Sequence, residues 1–433
     1  MERVVAKRLT DYMDINNLQS PFQSAYRKNH SVETALLRVQ SDILMAIDKK
    51  QSVLLILLDL SAAFDTIDHE VLLSRLNLYL GVSGNALKWV RSYLKDRWQS
   101  ISIKDKESEP WELLYGVPQG SVLGPILFSI YTAPLGHILK EANVSYHFYA
   151  DDTQLYVSFH ADDTANAVST IEHTIETVKS WMATNFLCLN DDKTEVILIG
   201  SNKTYDKLPS LQIKVGASVV TPTTCARNIG VQFDCHMSLQ NHILDTCKSA
   251  WFHLRNISKI RNCLDKTACE QLIHAFVTSK LDLNDSLYFG LPDYLLQHLQ
   301  YIQNTAARIL TRLPKHGHIT PVLEELHWLP VTFRIDFKIN ILTYKALHGM
   351  APIYISEMLR AKPIAERSMR SDDKHLLVVP KTRTITYGDR SFMHCGPTLW
   401  NVLPADIKNC DDFNQFKSLL KTHLFKKAYN CSE

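Results

Sequence analysis

Residues 144–159 constrain this chain more than any other stretch. Val144, Tyr146 and Phe148 alternate with Ser145, His147 and Tyr149, and Leu155 to Phe159 is again rich in β-formers. Alternation with aromatic and β-branched residues is the pattern of a strand. Between the two runs stand Ala150, Asp151 and Asp152. The segment is therefore predicted to be a β-hairpin with two adjacent carboxylates at its tip. Aspartate is an ordinary turn residue, because its side chain hydrogen-bonds nearby backbone. Alone, the pair reads as a turn; a second strand ending in aspartate makes it a candidate cation site.

Such a strand exists. Ser52-Val53-Leu54-Leu55-Ile56-Leu57-Leu58 is an almost continuous apolar run that ends in Asp59, the pattern of a strand buried on both faces. An ionised carboxylate there is costly unless paired or metal-bound. No Lys or Arg occurs between Val53 and His69, so the local sequence offers no ion-pair partner. A cation is the simpler expectation, and a distant arginine the alternative. Oxygen ligands without Cys or His favour a hard ion such as Mg²⁺ or Mn²⁺. Between the carboxylate elements lies a loop at residues 116–125. Its glycines let backbone approach a ligand closely, Pro118 restricts it, and Gln119 brings donors and acceptors. The apolar run 126–131 that follows is expected to form a buried helix.

These residues carry a family resemblance. Asp59-Leu60-Ser61-Ala62-Ala63-Phe64-Asp65, Gly116-Val117-Pro118-Gln119-Gly120-Ser121 and Tyr149-Ala150-Asp151-Asp152 resemble successive motifs of a reverse transcriptase palm. Leu189-Asn190-Asp191-Asp192-Lys193-Thr194 and Asn228-Ile229-Gly230-Val231-Gln232-Phe233-Asp234 resemble the next two, in the same order. Gln23-Ser24-Ala25-Tyr26-Arg27-Lys28 upstream fits as well, as do Glu325-Leu326-His327-Trp328-Leu329-Pro330 and Cys395-Gly396-Pro397-Thr398-Leu399-Trp400 downstream. The chain is thus similar to polymerases of non-LTR (LINE-type) retrotransposons of the jockey-like group, along nearly its whole length.

The resemblance implies an RNA-directed DNA polymerase that adds a dNTP to a primer 3′-OH on an RNA template. Asp59 and Asp151 would be the bridging metal ligands and Asp152 an auxiliary carboxylate, with the main-chain carbonyl of Leu60 completing the nucleotide-side ion. Phe64 would lie beneath the incoming sugar and reject a 2′-hydroxyl; the plain reading of this aromatic beside Ala62 and Ala63 is core. Gln119 and Gly120 would line the nascent base pair and template. Lys193 would donate a proton to departing pyrophosphate; its plain reading is a solvated lysine balancing Asp191 and Asp192. Arg27 and Lys28 suit template phosphates, although charges on a polar loop are commonly just solvated.

The expected fold is α+β, a right-hand polymerase palm with partial fingers, followed by a helical thumb and a C-terminal domain. The expected divisions are residues 1–52 as partial fingers, 53–235 as palm, 236–330 as a helical thumb-like region and 331–433 as a C-terminal domain of unassigned role. Helices are predicted from Met1 to about Asp14, with Val5, Leu9 and Tyr12 on one face, over 34–47, and over 164–185. The last would carry a stripe of Val168, Ile171, Ile175, Val178 and Trp181. A strand follows at 195–199. Further amphipathic helices are expected at 248–260, 267–277 and 294–313, the first bearing Lys248, Arg255 and Lys259 along one side.

Lys plus Arg number 47 against 45 for Asp plus Glu. This near balance neither demands nor excludes nucleic acid, whose binding needs a clustered basic surface. The nine cysteines show no Cys-x-x-Cys pair, which suits reduced thiols in an intracellular compartment; Cys188 is expected in the core. No apolar run reaches the roughly 18–20 residues of a membrane span, and the start lacks a signal-peptide core. Against its relatives the chain is expected to start late. Fingers residues that grip the triphosphate, and an upstream endonuclease domain, would precede the point matching Met1. The alternative reading rests on that truncation: a catalytically inactive nucleic-acid-binding remnant or co-opted interaction protein.

Overall fold

The computed structural model describes residues 1–205, 208, 211–216, 218–363 and 376–430. Packing groups the chain into two units. The first is Met1–His30, Ser52–Leu198 and Lys203–Thr224; the second is Ser31–Gln51, Ile199–Asn202 and Cys225–Glu433.

The first unit is built on a four-stranded sheet. Its strands are β1 (Ser52–Leu58), β2 (Ser145–Tyr149), β3 (Asp152–Phe159) and β4 (Glu195–Ile199), in the order β4-β1-β3-β2. The apolar run of β1 lies in the interior of the sheet, as its continuous hydrophobicity requires. It pairs antiparallel with β3, from Ser52 opposite Phe159 to Leu58 opposite Thr153. Strands β2 and β3 form the expected hairpin, closed by Tyr149 opposite Asp152. The free edge of β2 is covered by the chain at 22–24: Phe148 N–H donates to Phe22 O at 2.8 Å, and Ser24 N–H to Phe148 O at 3.0 Å. Ser24 Oγ also lies 2.7 Å from His147 Nε2.

Helices pack the sheet. Thr164–Thr184 buries Ile171, Ile175, Val178 and Met182, while Val168 and Trp181 of the expected stripe lie at its partly buried margin. Gly124–Thr132 buries Leu127, Phe128, Ile130 and Tyr131. In Glu2–Ile15 the fully buried residues are Ala6 and Met13; Val5 and Leu9 are partly buried, and Tyr12 stays open with its hydroxyl donating to Leu80 O at 2.8 Å. Cys188 is exposed, contrary to expectation. Strand alternation explains the error: Leu187 and Leu189 turn inward, so Phe186 and Cys188 turn out.

The second unit is mainly helical. Gln240–Ile260, Asp293–Thr311, Val331–Leu347 and Phe413–Tyr429 are its longer C-terminal helices. The helix expected at 267–277 forms as Lys266–Ile273 and runs on into a π-helical turn at His274–Thr278. Tyr344, Trp400 and Phe416 centre a core whose rings stack or tilt against one another, Tyr344 on Phe416 at 4.0 Å. The hairpin of Cys225–Asn228 with Val231–Asp234 and the helix Val32–Asp48, expected in palm and fingers, pack in this unit. Ser31 caps that helix by accepting from Thr34 N–H. Gln40 then donates to Leu287 O at 3.0 Å, and Asp48 accepts from the N–H groups of Arg383 and Thr384. No described helix is long and apolar enough to cross a membrane.

Candidate active site

Asp59 directly follows β1. The β1–β3 pairing ends with Leu58 opposite Thr153, so Asp59 and Asp152 are the next residues on their two chains. Like charges brought close together oppose each other's ionisation. The Asp152 carboxyl is accordingly pushed up to about 6, first by desolvation and then by the charges of Asp151 and Asp59. Part of this residue's surface is open to water, which screens the crowding without reversing its direction.

The ion-pair partner that the sequence near Asp59 lacks comes from Lys193. Its ammonium lies 3.2 Å from Asp59 Oδ2, with two thirds of its side chain exposed. Oδ2 itself is buried without a hydrogen bond, so this is an ion contact with poor hydrogen-bond alignment. Lys193 does not balance Asp191, which accepts instead from Lys179 Nζ at 2.7 and 2.9 Å.

Ala150 and Asp151 form the two-residue tip between β2 and β3. Ala150 has φ of 58°, a left-handed conformation that an L-residue with a Cβ adopts at a cost. Its backbone is held from outside the hairpin. Gln23 Oε1 accepts from Ala150 N–H at 3.2 Å and from Ala25 N–H at 3.0 Å, and Gln23 Nε2 reaches Ala150 O at 3.5 Å. Tyr26 also faces the tip: burial raises its phenol pKa, and the Asp151 charge raises it further. Arg27 serves the backbone here, donating to Ser20 O and Gln23 O.

The glycine loop is fixed to the segment after Asp59. Gly116 has φ of +84°, and a Cβ there would stand 2.9 Å from Asp65 O; only glycine permits this approach. Its N–H donates to Ile67 O and its carbonyl lies 2.8 Å from His69 Nε2. Gln119 Nε2 donates to both Asp65 oxygens, at 3.1 and 3.0 Å. Gly120 is open on its Cβ side. Phe64 is half-buried, packs against the core and stacks on the buried Phe128 with ring centroids 4.8 Å apart. Leu60 pairs with Leu189 in a two-residue ladder, which brings the Lys193 turn beside Asp59. A cleft of 910 Å³, lined by Asp65, His69, Arg97, Tyr115 and Gln119 among others, adjoins the loop but does not include the carboxylates.

The structure thus gathers Asp59, Asp151, Asp152 and Lys193 at one sheet edge, with Phe64, Gln119 and Gly120 on the segments tied by Gly116. Gln23, Tyr26 and Asp65 lie within the motifs but carry no signal of a role in the sequence, because their partners lie too far along the chain for any spacing rule to reveal. Among the described residues no three His, Cys, Asp or Glu side chains converge closely enough, as they stand, to hold a metal ion. The donor chemistry nevertheless suits a hard cation: carboxylate oxygens only, one of them buried without a hydrogen bond, and an excess of negative charge.

A reverse transcriptase (RNA-dependent DNA polymerase) family profile matches residues 1–233. The chain belongs to the reverse transcriptase family, and its fold is α+β. It is 25% identical over 341 residues to the probable RNA-directed DNA polymerase from transposon BS of Drosophila melanogaster, covering 75% of this chain and 36% of that protein. It is 24% identical over 334 residues to the polymerase from mobile element jockey of the same fly, covering 72% and 34%. The X-element polymerase matches similarly, at 24% identity over 324 residues. These relatives place the chain among LINE-type reverse transcriptases. The chain spans about a third of the length of these curated relatives. Among solved structures, telomerase of Candida albicans with a telomeric RNA fragment aligns with a TM-score of 0.38 at 14% identity, over 78% of this chain and 55% of that one. Apo telomerase of Candida tropicalis aligns with a TM-score of 0.39 at 14% identity, over 77% and 58%.

Proposed function

We propose that this chain is an RNA-directed DNA polymerase of a non-LTR retrotransposon, transferring a nucleotide from a dNTP to a DNA primer 3′-OH on an RNA template. The observation that carries the reading is the gathering of Asp59, Asp151 and Asp152 beside the Leu58–Thr153 pair, close enough for the charges of the first two to raise the carboxyl of the third. Asp59, Asp151 and Asp152 would hold Mg²⁺ or Mn²⁺, helped by the main-chain carbonyl of Leu60. Bound ions of this kind, roughly 3.5–4 Å apart, stabilise the attacking and leaving oxygens of an in-line displacement.

The remaining residues position and exclude. The half-buried ring of Phe64 forms the floor under the sugar and excludes a 2′-hydroxyl by its bulk. Gln119, anchored on Asp65, and the open Gly120 line the base pair and template. Lys193 gives a proton to departing pyrophosphate, and its contact with Asp59 keeps the ammonium at hand. Residues 1–52 would act as partial fingers, 53–235 as palm, 236–330 as thumb, with Lys248, Arg255 and Lys259 exposed on the helix Gln240–Ile260. The reaction belongs inside the cell, where template and dNTP are found.

Primer extension on an RNA template with Mg²⁺ or Mn²⁺, beside Asp151→Ala, tests this. Extension by the intact chain that Asp151→Ala abolishes is the expected result. No extension at high dNTP sinks the enzyme reading in favour of a silent nucleic-acid-binding protein. Extension that survives the substitution sinks the site assignment.

A further inference from the structure

We infer that Gln23 is a positioning residue of this site: its carboxamide holds Ala150 in the left-handed conformation that presents the Asp151 carboxylate. The inference rests on the metal-binding reading of Asp151 given above.

Four observations carry it. The tip is only Ala150 and Asp151, so the Ala150 backbone alone sets where Asp151 leaves β2. Ala150 stands at φ of 58°, yet short hairpin tips with positive φ ordinarily use Gly, Asn or Asp. Alanine lacks both glycine's freedom and a side chain that bonds locally, so the conformation must be imposed by a neighbour. Gln23 is that neighbour, 6% exposed, with its oxygen shared between Ala150 N–H and Ala25 N–H. The Gln23 main chain is itself fixed, bridged to Phe148 and flanked by the Phe22 and Ser24 bonds to that residue. The Gln23 carboxamide bonds the backbone of Ala150 and Ala25, so its effect on Asp151 would pass through the tip.

Mn²⁺ binding by the full chain, followed by calorimetry with thermal melting alongside, separates this role from simple packing. Asp151→Asn should remove binding. Gln23→Met, similar in shape but without hydrogen-bonding groups, should weaken binding by about 10–100-fold. Ala150→Gly placed in the Gln23→Met chain should restore much of the loss, because glycine adopts the tip conformation unaided. Ser24→Ala, which removes the bond to His147 in the same edge strand, should lower the melting temperature and leave Mn²⁺ affinity unchanged. Wild-type affinity in Gln23→Met, or no recovery with Ala150→Gly, overturns the inference. Hydrogen exchange at the Ala150 amide of the unsubstituted chain gives a readout that needs neither metal nor a folded variant. Slow exchange supports the clamp, and exchange at the rate of an open turn overturns it. Absence of any Asp151-dependent Mn²⁺ binding in the unsubstituted chain would instead refute the metal-site reading, with amide exchange still deciding the clamp.

Discussion

Asp59 and Asp152 are the next residues on their two chains beyond the Leu58–Thr153 pair, and the charge of Asp59 raises the carboxyl of Asp152. With Asp151 beside them, the chain gathers three acids where one lysine answers. The arrangement favours any added positive charge, a proton or a cation, and its consequences are measurable.

The proton comes first. The Asp152 carboxyl sits at about 6 in the folded chain, above its ordinary 3.8. The folded state therefore binds this proton more tightly than the unfolded state. That contribution is complete below the unfolded value and is lost as pH rises through about 6. Asp152→Asn keeps the shape without the charge. Its metal-free chain should melt about 1–3 °C above the parent near pH 8, with the gap closing near pH 4. Equal gaps at both pH values would show that Asp152 does not titrate in this range.

Lys193 competes with a cation for Asp59. Lys193→Met should bind Mn²⁺ several-fold more tightly, because an opposing positive charge is removed. If the lysine also donates the proton, single-turnover extension should slow by about 10²-fold. Unchanged binding and unchanged rate together would remove Lys193 from the site.

Phe64 stacks on Phe128 and remains only half-buried. Phe64→Val should raise the ratio of kcat/KM for ribonucleotides over deoxyribonucleotides by about 10-fold or more, since relief of a clash of this size is worth about 1–3 kcal/mol. It should also destabilise the chain by about 1–3 kcal/mol through the lost stacking and volume. A destabilised variant with unchanged sugar selection would leave Phe64 a core residue only.

Two glycines of one loop should behave differently. Gly116→Ala drives a Cβ against Asp65 O at 2.9 Å from a positive φ, and should cost about 3 kcal/mol or more in urea unfolding. Gly120→Ala meets no atom and should cost only about 1–2 kcal/mol for the left-handed backbone. Similar losses at both positions would contradict the close approach at Gly116.

In the second unit, Lys338 lies between Glu33 at 3.3 Å and Asp285 at 3.5 Å. Burial raises the Asp285 pKa well above its usual range, and the Lys338 charge holds it back. Lys338→Met leaves both acids without that cation and should cost about 3–5 kcal/mol. Asp285→Asn, which removes a charge that burial already disfavours, should cost much less. Near-equal losses would mean that Lys338 acts by packing alone.

The strands were legible because their signals are local. The run Ser52–Leu58 and the alternation before Tyr149 each carry their own period, and both became strands with nearly the expected bounds. The helix Thr164–Thr184 was legible for the same reason. One expected core position erred by one residue of alternation: Cys188 stands open because its apolar neighbours Leu187 and Leu189 take the buried places. The candidate acids could be read as a set, since Asp59 directly follows one strand and Asp151 and Asp152 stand at the turn of the hairpin. Their partners could not. Lys193 beside Asp59 and Gln23 beside Ala150 are met only once the sheet has closed, and no spacing within one segment encodes them.

The helix Val32–Asp48 belongs with residues that come much later. Thr34 lies 3.1 Å from the Tyr354 hydroxyl, and Asp48 is bonded by Arg383 and Thr384. During synthesis this helix leaves the ribosome long before its companions exist. At about 5–20 residues per second the wait is on the order of tens of seconds. Over that interval a largely apolar helix has none of its C-terminal shelter, whereas β1, which follows it, meets its partner β3 once residues 153–159 are made. Completion of the second unit is therefore a late, non-local event, and early termination of translation would strand this helix exposed even where the acid-bearing sheet is whole.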